Sequence, residues 1–187
     1  MITFGAKYLS TVNIGEIKDK KEIVPYRAAI SEFTPGDIKD TVSLNFLANL
    51  SLKKTGLAHS IFNDYLCTQN GTLYNKNWVR YLALTKEQNS YNYIKTRNIL
   101  GLAEISSVPL HSSEIHLDYL QTIKNLFIKK YCFVGTGLLN FIKETYPDKN
   151  IVLMALTTAV KFYKSNGFVV SDKLKKDGLV KMKYFHK

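Results

Sequence analysis

The sequence predicts an α/β fold, a mixed and mostly antiparallel twisted sheet flanked by helices, with a ligand cleft between splayed central strands. Two observations carry it. Strand-length segments rich in β-branched and aromatic residues recur through the first two thirds of the chain. The stretch from Lys130 to Phe168 then sets out a glycine turn, a helix pattern, an apolar strand and a second helix pattern. Strands feeding helices at one end of a mixed sheet leave a ligand site between them.

The elements follow in order. Residues 2–12 read as a strand, after which Pro25 and Pro35-Gly36 mark a loop-rich stretch. Asp37 or Asp40 caps a helix over residues 41–53, with Val42, Leu44, Phe46, Leu47 and Leu50 on its apolar face, and Gly56 breaks it. A second helix, 57–67, buries Ile61, Phe62, Tyr65 and Leu66 before the turn Gln69-Asn70-Gly71. Strands at 78–85, 99–106 and 114–122 follow, joined by polar connections suited to antiparallel hairpins. Alternation in the third puts His116 and Asp118 on one face and Leu117 and Tyr119 on the other. Residues 123–129 look like an insertion that extends this strand past a bulge or forms a flap. A helix from the glycine turn to Tyr146, a strand at 151–156, a helix capped by Thr157 or Thr158 and ended by Gly167, and terminal strands complete the chain.

Gly135 and Gly137 stand where the first of these later helices begins. Glycine lets backbone approach a ligand closely, and the unpaired amides of a first helical turn suit an anionic pyrophosphate. The segment resembles the acyl-coenzyme A binding core of the GNAT acyltransferase superfamily. That pattern runs Gln or Arg, two residues, Gly, any residue, Gly, any residue, then Ala or Gly before paired aliphatics. Gly135-Thr136-Gly137-Leu138-Leu139 match its end, Lys130 stands at the Gln/Arg position and Phe133 at the first glycine position. Ala159, Phe162-Tyr163 and Gly167-Phe168 are similar to the family's later signature of Ala, Phe-Tyr, a three-residue gap and Gly-Phe. The order of elements is also the GNAT order. The resemblance covers residues 98–185, the cofactor-binding core, and leaves residues 1–77 as a divergent acceptor-side part of one domain spanning 1–187.

The resemblance implies an N-acetyltransferase that moves an acetyl group from acetyl-CoA to a primary amine by direct transfer in a ternary complex. It implies that Lys130, Val134, Gly135, Thr136, Gly137 and Leu138 hold the cofactor, that backbone amides near Leu120 and Gln121 meet the oxyanion, and that Tyr163 protonates the departing sulfur. A base is read from the residues themselves. Glu104, an acid inside the apolar run Leu102, Ala103 and Ile105, is the first choice, with Glu114, His116, Asp118 or a water relay left open.

Composition sets the bounds. A chain of 187 residues with 45% apolar content suits one ordered globular domain. No apolar run reaches membrane-spanning length and the N-terminus has no signal-peptide core, so a cytoplasmic protein is expected. Cys67 and Cys132 make neither a disulfide framework nor a zinc site, and His59, His111, His116 and His186 lack paired-ligand spacing, so no metal is expected. Residues 1–119 carry 13 Lys or Arg against 11 Asp or Glu, net +2, and residues 120–187 carry 13 against 4, net +9. Part of that excess suits a phosphorylated ligand, and the rest suits a solvated surface or an acidic partner such as tRNA. The amine acceptor stays open among polyamine, peptide N-terminus, lysine side chain, antibiotic and aminoacyl-tRNA, the last a toxin-like activity. The alternative class is a GNAT-fold module that binds RNA, protein or CoA with little catalysis, and a homodimer is left open.

Overall fold

The computed structural model describes residues 6–33, 79–86, 98–107, 113–122, 131–172 and 178–186. The expected helices at 41–53 and 57–67, the 123–129 insertion and Lys130 lie outside these residues. Nine strands form one sheet: β1 Lys7–Ile17, β2 Ile23–Phe33, β3 Val79–Thr85, β4 Ile99–Ser107, β5 Glu114–Thr122, β6 Tyr131–Cys132, β7 Asn150–Leu156, β8 Val169–Val170 and β9 Leu179–Tyr184. Their order across the sheet is β6-β1-β2-β3-β4-β5-β7-β9-β8. All neighbours are antiparallel except β5 and β7. Two α-helices appear among the described residues, α1 Val134–Thr145 and α2 Val160–Ser165. This is the mixed, mostly antiparallel α/β architecture that the sequence predicts, and among the described residues no helix is long and apolar enough to cross a membrane.

The N-terminal region departs from expectation. Instead of one strand followed by a loop, β1 and β2 make a long hairpin, from Ile17 opposite Ile23 to Lys7 opposite Glu32, turning through a short 3-10 segment at Asp19–Lys21. Pro25 misled because proline gives no amide to a ladder. Here it faces Gly15 of β1, while β3 pairs only with Ala29 to Phe33, so this end of β2 has a neighbour on one side and the missing donor is harmless.

One face of the sheet carries α1. Val134, Leu138, Leu139 and Ile142 recur at helical spacing and pack into a core with Ile14, Ala28, Ile30, Leu84, Ala103 and Leu117. Two glycines set how closely helix and sheet approach. A Cβ on Gly137 would lie 3.1 Å from Ile14 Cγ2, and one on Gly101 of β4 would lie 2.8 Å from Val134 Cγ1 and 3.0 Å from Leu138 Cδ1. The far end of α1 is held by Arg80 of β3. Its Nε and Nη2 donate to the Glu32 carboxylate at 2.6 and 2.8 Å, and its Nη1 donates to the Tyr146 hydroxyl. This hydrogen-bonded guanidinium holds the Glu32 carboxyl below its ordinary pKa. The other face is buried too, at Ala29, Ser31, Phe33, Tyr81, Ala83, Leu102 and Glu104.

Gly101→Ala tests the helix seat. A methyl group in a strand restricts the unfolded chain, worth about 0.4–1 kcal/mol, but overpacking costs about 1–3 kcal/mol, so net destabilisation is expected in denaturant unfolding. Adding Val134→Ala makes room and should recover part of the loss, a non-additivity that separates contact from strand propensity.

Candidate functional site

The site begins where two strands part. β5 and β7 pair in parallel only from Glu114 opposite Asn150 to Leu117 opposite Leu153. Beyond that, β5 runs on to Thr122 beside β4, and β7 runs on to Leu156 beside β9. The parting coincides with an irregularity in the β4–β5 ladder: Ile105 faces Leu117, but the next residue back, Glu104, faces Tyr119. Asp118 is therefore the extra residue of a bulge, and bulges bend a strand and raise its twist. The bulge also overturns the expected alternation. Leu117 shares Ile105's face in the core, whereas Tyr119 shares Glu104's face and is 42% exposed. After Leu117 the edge of β5 that faces β7 has no strand partner among the described residues.

The N-terminus of α1 stands over the open end of β5. A Cβ on Gly135 would lie 3.7 Å from Thr122 Cγ2. The first helical hydrogen bond runs from the Gly137 amide to the Phe133 carbonyl at 2.8 Å, and Phe133 has no side-chain cap. The amides of Val134, Gly135 and Thr136 thus lie ahead of the helical ladder, and no acidic residue sits in this first turn. That set of donors fits a pyrophosphate. Leu138 is fully buried in the core, and the Gly137 amide is spent on Phe133.

Phe133 holds φ 61° and ψ 16°, a left-handed conformation of the kind glycine adopts most readily. For a residue with a side chain this costs about 1–2 kcal/mol. The residue stays 58% exposed. Gly135 has a different neighbour from the one its motif suggests, since the Phe162 ring of α2 comes within 2.9 Å of where its Cβ would be.

On the β7 side, the helix cap differs from expectation. Thr157 and Thr158 lie in a 3-10 turn, Thr157–Ala159, and α2 follows it with no side-chain cap. The C-terminal end is as the sequence indicates, and its geometry explains the Phe-Tyr, gap, Gly-Phe signature. Gly167 takes φ 84°, its amide donates to the Lys164 carbonyl at 3.0 Å, and the Phe168 amide donates to the Tyr163 carbonyl at 3.1 Å. This is a Schellman motif, and its usual apolar contact is the Tyr163–Phe168 ring pair at 5.6 Å. Tyr163 is 8% exposed, also packs on Phe162, and is pushed up to about pKa 12 by burial, so its phenol stays protonated at neutral pH. Lys143 of α1 crosses to α2, donating to the Asn166 carbonyl at 2.6 Å over the Tyr184 ring.

Glu104 lies on the face opposite α1, 5% exposed, in register between Tyr81 and Tyr119. Gln121 pairs with Leu102, which places its side chain on that same face, and its Oε1 is buried without a hydrogen-bond partner among the described residues. Sequence reasoning missed Gly101, although a glycine inside a strand pattern signals close backbone approach. It also missed the bulge at Asp118, for which the sequence holds no comparable mark.

No family model matches the sequence, and no curated protein matches it either. Solved structures do. A spermidine N-acetyltransferase from Vibrio cholerae in complex with CoA and spermine aligns over 84% of this chain and 95% of its own at TM-score 0.54 and 15% identity. A putative GNAT-family acetyltransferase from Desulfovibrio desulfuricans aligns over 84% and 96% at TM-score 0.54 and 13% identity. A putative N-acetyltransferase from Lactobacillus plantarum aligns over 84% and 99% at TM-score 0.52 and 13% identity. At such identities the likeness is one of backbone architecture, and the architecture of this chain is the GNAT superfamily fold.

Proposed function

We propose that the chain is an acetyltransferase that takes its acyl group from acetyl-CoA and passes it directly to a primary amine. The observation that carries the proposal is the meeting of three amides ahead of the α1 ladder with the edge of β5 that, among the described residues, has no strand partner at the splay. Bound there, acetyl-CoA would supply a thioester as the activated acyl group. The amides of Val134, Gly135 and Thr136 bind its pyrophosphate, with the helix dipole adding to the attraction. Backbone amides of β5 near Leu120 and Gln121 stabilise negative charge on the acyl oxygen, a task that fixed dipoles in a water-poor cleft do well. Tyr163, protonated at working pH, donates to the departing sulfur. Glu104, enclosed on the acceptor face, takes a proton from the substrate ammonium directly or through water, leaving the neutral amine that attacks. The divergent residues 1–77 set acceptor choice. CoA and spermine in one structural neighbour support this class of ligands, with a polyamine the first acceptor to try.

A second reading, a CoA-binding module with little catalysis, is favoured by Phe162 packed on Gly135 at the turn itself. Calorimetric binding of acetyl-CoA together with acetylation of a panel of amines separates the two. Heat and product support the enzyme, heat alone supports the module, and no heat overturns both.

Thr136→Pro removes one amide of the first turn that makes no helical hydrogen bond. A hydrogen bond to a charged group is worth about 1.5–3 kcal/mol, so acetyl-CoA affinity should fall about tenfold to a hundredfold with little change in Tm. Unchanged affinity would place the phosphates elsewhere.

Tyr163→Phe keeps the ring packing and deletes the acid. Turnover should fall about a hundredfold to ten-thousandfold while acetyl-CoA affinity and Tm hold. Native turnover in this variant would end the acid assignment.

A further inference from the structure

We infer that the side-chain carbonyl of Gln121 is the anchor for an N–H donor of the bound substrates, an inference that rests on the acetyl-transfer reading of this cleft. Three features lead to it. Oε1 of Gln121 is buried and accepts no hydrogen bond from the described residues, although a buried acceptor left unmade is costly and native structures rarely keep one without a use. Gln121 lies four residues past the last β5–β7 pair, in the stretch of β5 whose edge faces the splay. Its register with Leu102 turns its side chain to the face opposite α1, while the adjacent Thr122 lies under the α1 N-terminus near Gly135. An elongated ligand with its anionic end on the α1 amides therefore reaches Gln121 by passing through the gap between the strands.

The chemistry narrows what is bound. A carbonyl oxygen only accepts, so the partner must be a donor such as an N–H. Both substrates offer one: the amides of the pantetheine arm of acetyl-CoA, and the acceptor amine. The Tyr119 side chain on the same face, and Glu104 across the ladder from it, place Gln121 beside the groups assigned to the acceptor side. An apolar or unpolarised channel would hold either substrate in several poses, and one fixed acceptor selects a single pose.

The test uses Gln121→Met, of similar length without the carbonyl, and Gln121→Glu, which keeps acceptor oxygens. Three quantities are measured on the full chain: Tm without ligand, acetyl-CoA affinity by calorimetry, and KM for spermidine as the probe amine, or for whichever panel amine is acetylated. For Gln121→Met the ligand-free Tm should hold or rise by about 2–4 °C, since an unsatisfied group has been removed. One binding constant should meanwhile weaken about tenfold. Weakened acetyl-CoA affinity at constant amine KM identifies the pantetheine amide, and the reverse identifies the amine. Gln121→Glu should bind the amine at least as well as the native protein if the amine is the partner, because a carboxylate attracts an ammonium. If Gln121→Met leaves both constants unchanged, or lowers Tm and both affinities together, the inference is overturned while acetyl transfer by the native protein still stands. Absence of acetyl-CoA binding by the native protein overturns the functional reading and this inference together.

Discussion

The structure depends on one extra residue in one strand. Asp118 puts β5 out of step with β4, and at the same position the parallel pairing with β7 stops. A regular β5 would hydrogen-bond to β7 along its whole length and leave no backbone edge for a ligand. The bulge converts a closed sheet into two halves joined at one end. Along the break lie the first-turn amides of α1, the end of β5 and the α2 helix that carries Phe162 and Tyr163, while Glu104 stands on β4 across the ladder from Tyr119.

A split sheet needs fastening, and the chain supplies it away from the break. Lys143 reaches from α1 to the carbonyl of Asn166, the residue that follows α2, and its desolvation, which lowers its pKa, is offset in part by the Tyr184 and Phe168 rings beneath it. Arg80 fastens the C-terminal end of α1 to β2 and β3 through Glu32 and Tyr146. Gly101 and Gly137 let the helix sit close enough for its first turn to overhang β5. These contacts fix the distance between helix terminus and strand edge, which preorganised binding requires.

Phe133 shows that a bulky residue can hold a turn suited to glycine. The sequence reads it as a stiff position, yet its backbone occupies the left-handed region. Its cost, about 1–2 kcal/mol, is small beside what α1 gains by burying Val134, Leu138, Leu139 and Ile142, each worth about 1.5–3 kcal/mol when fully buried. Packing downstream therefore decides the turn, and the local preference of Phe133 does not.

Strands β3, β4, β5 and β7 and both later helices were legible in the sequence, because apolar periodicity and glycine punctuation are local signals set by which side chains must leave water. The Gly167-Phe168 stop was legible for the same reason, since a positive φ asks for glycine wherever the helix ends. The β1–β2 hairpin was not, because whether Pro25 breaks a strand depends on which neighbours that strand has, and β3 stops short of it. The bulge at Asp118, the face reversal of Tyr119, the contact of Gly135 with Phe162 and the orphaned carbonyl of Gln121 are properties of strand register. Register is fixed by the sum of side-chain contacts across several strands, so only the assembled sheet decides it.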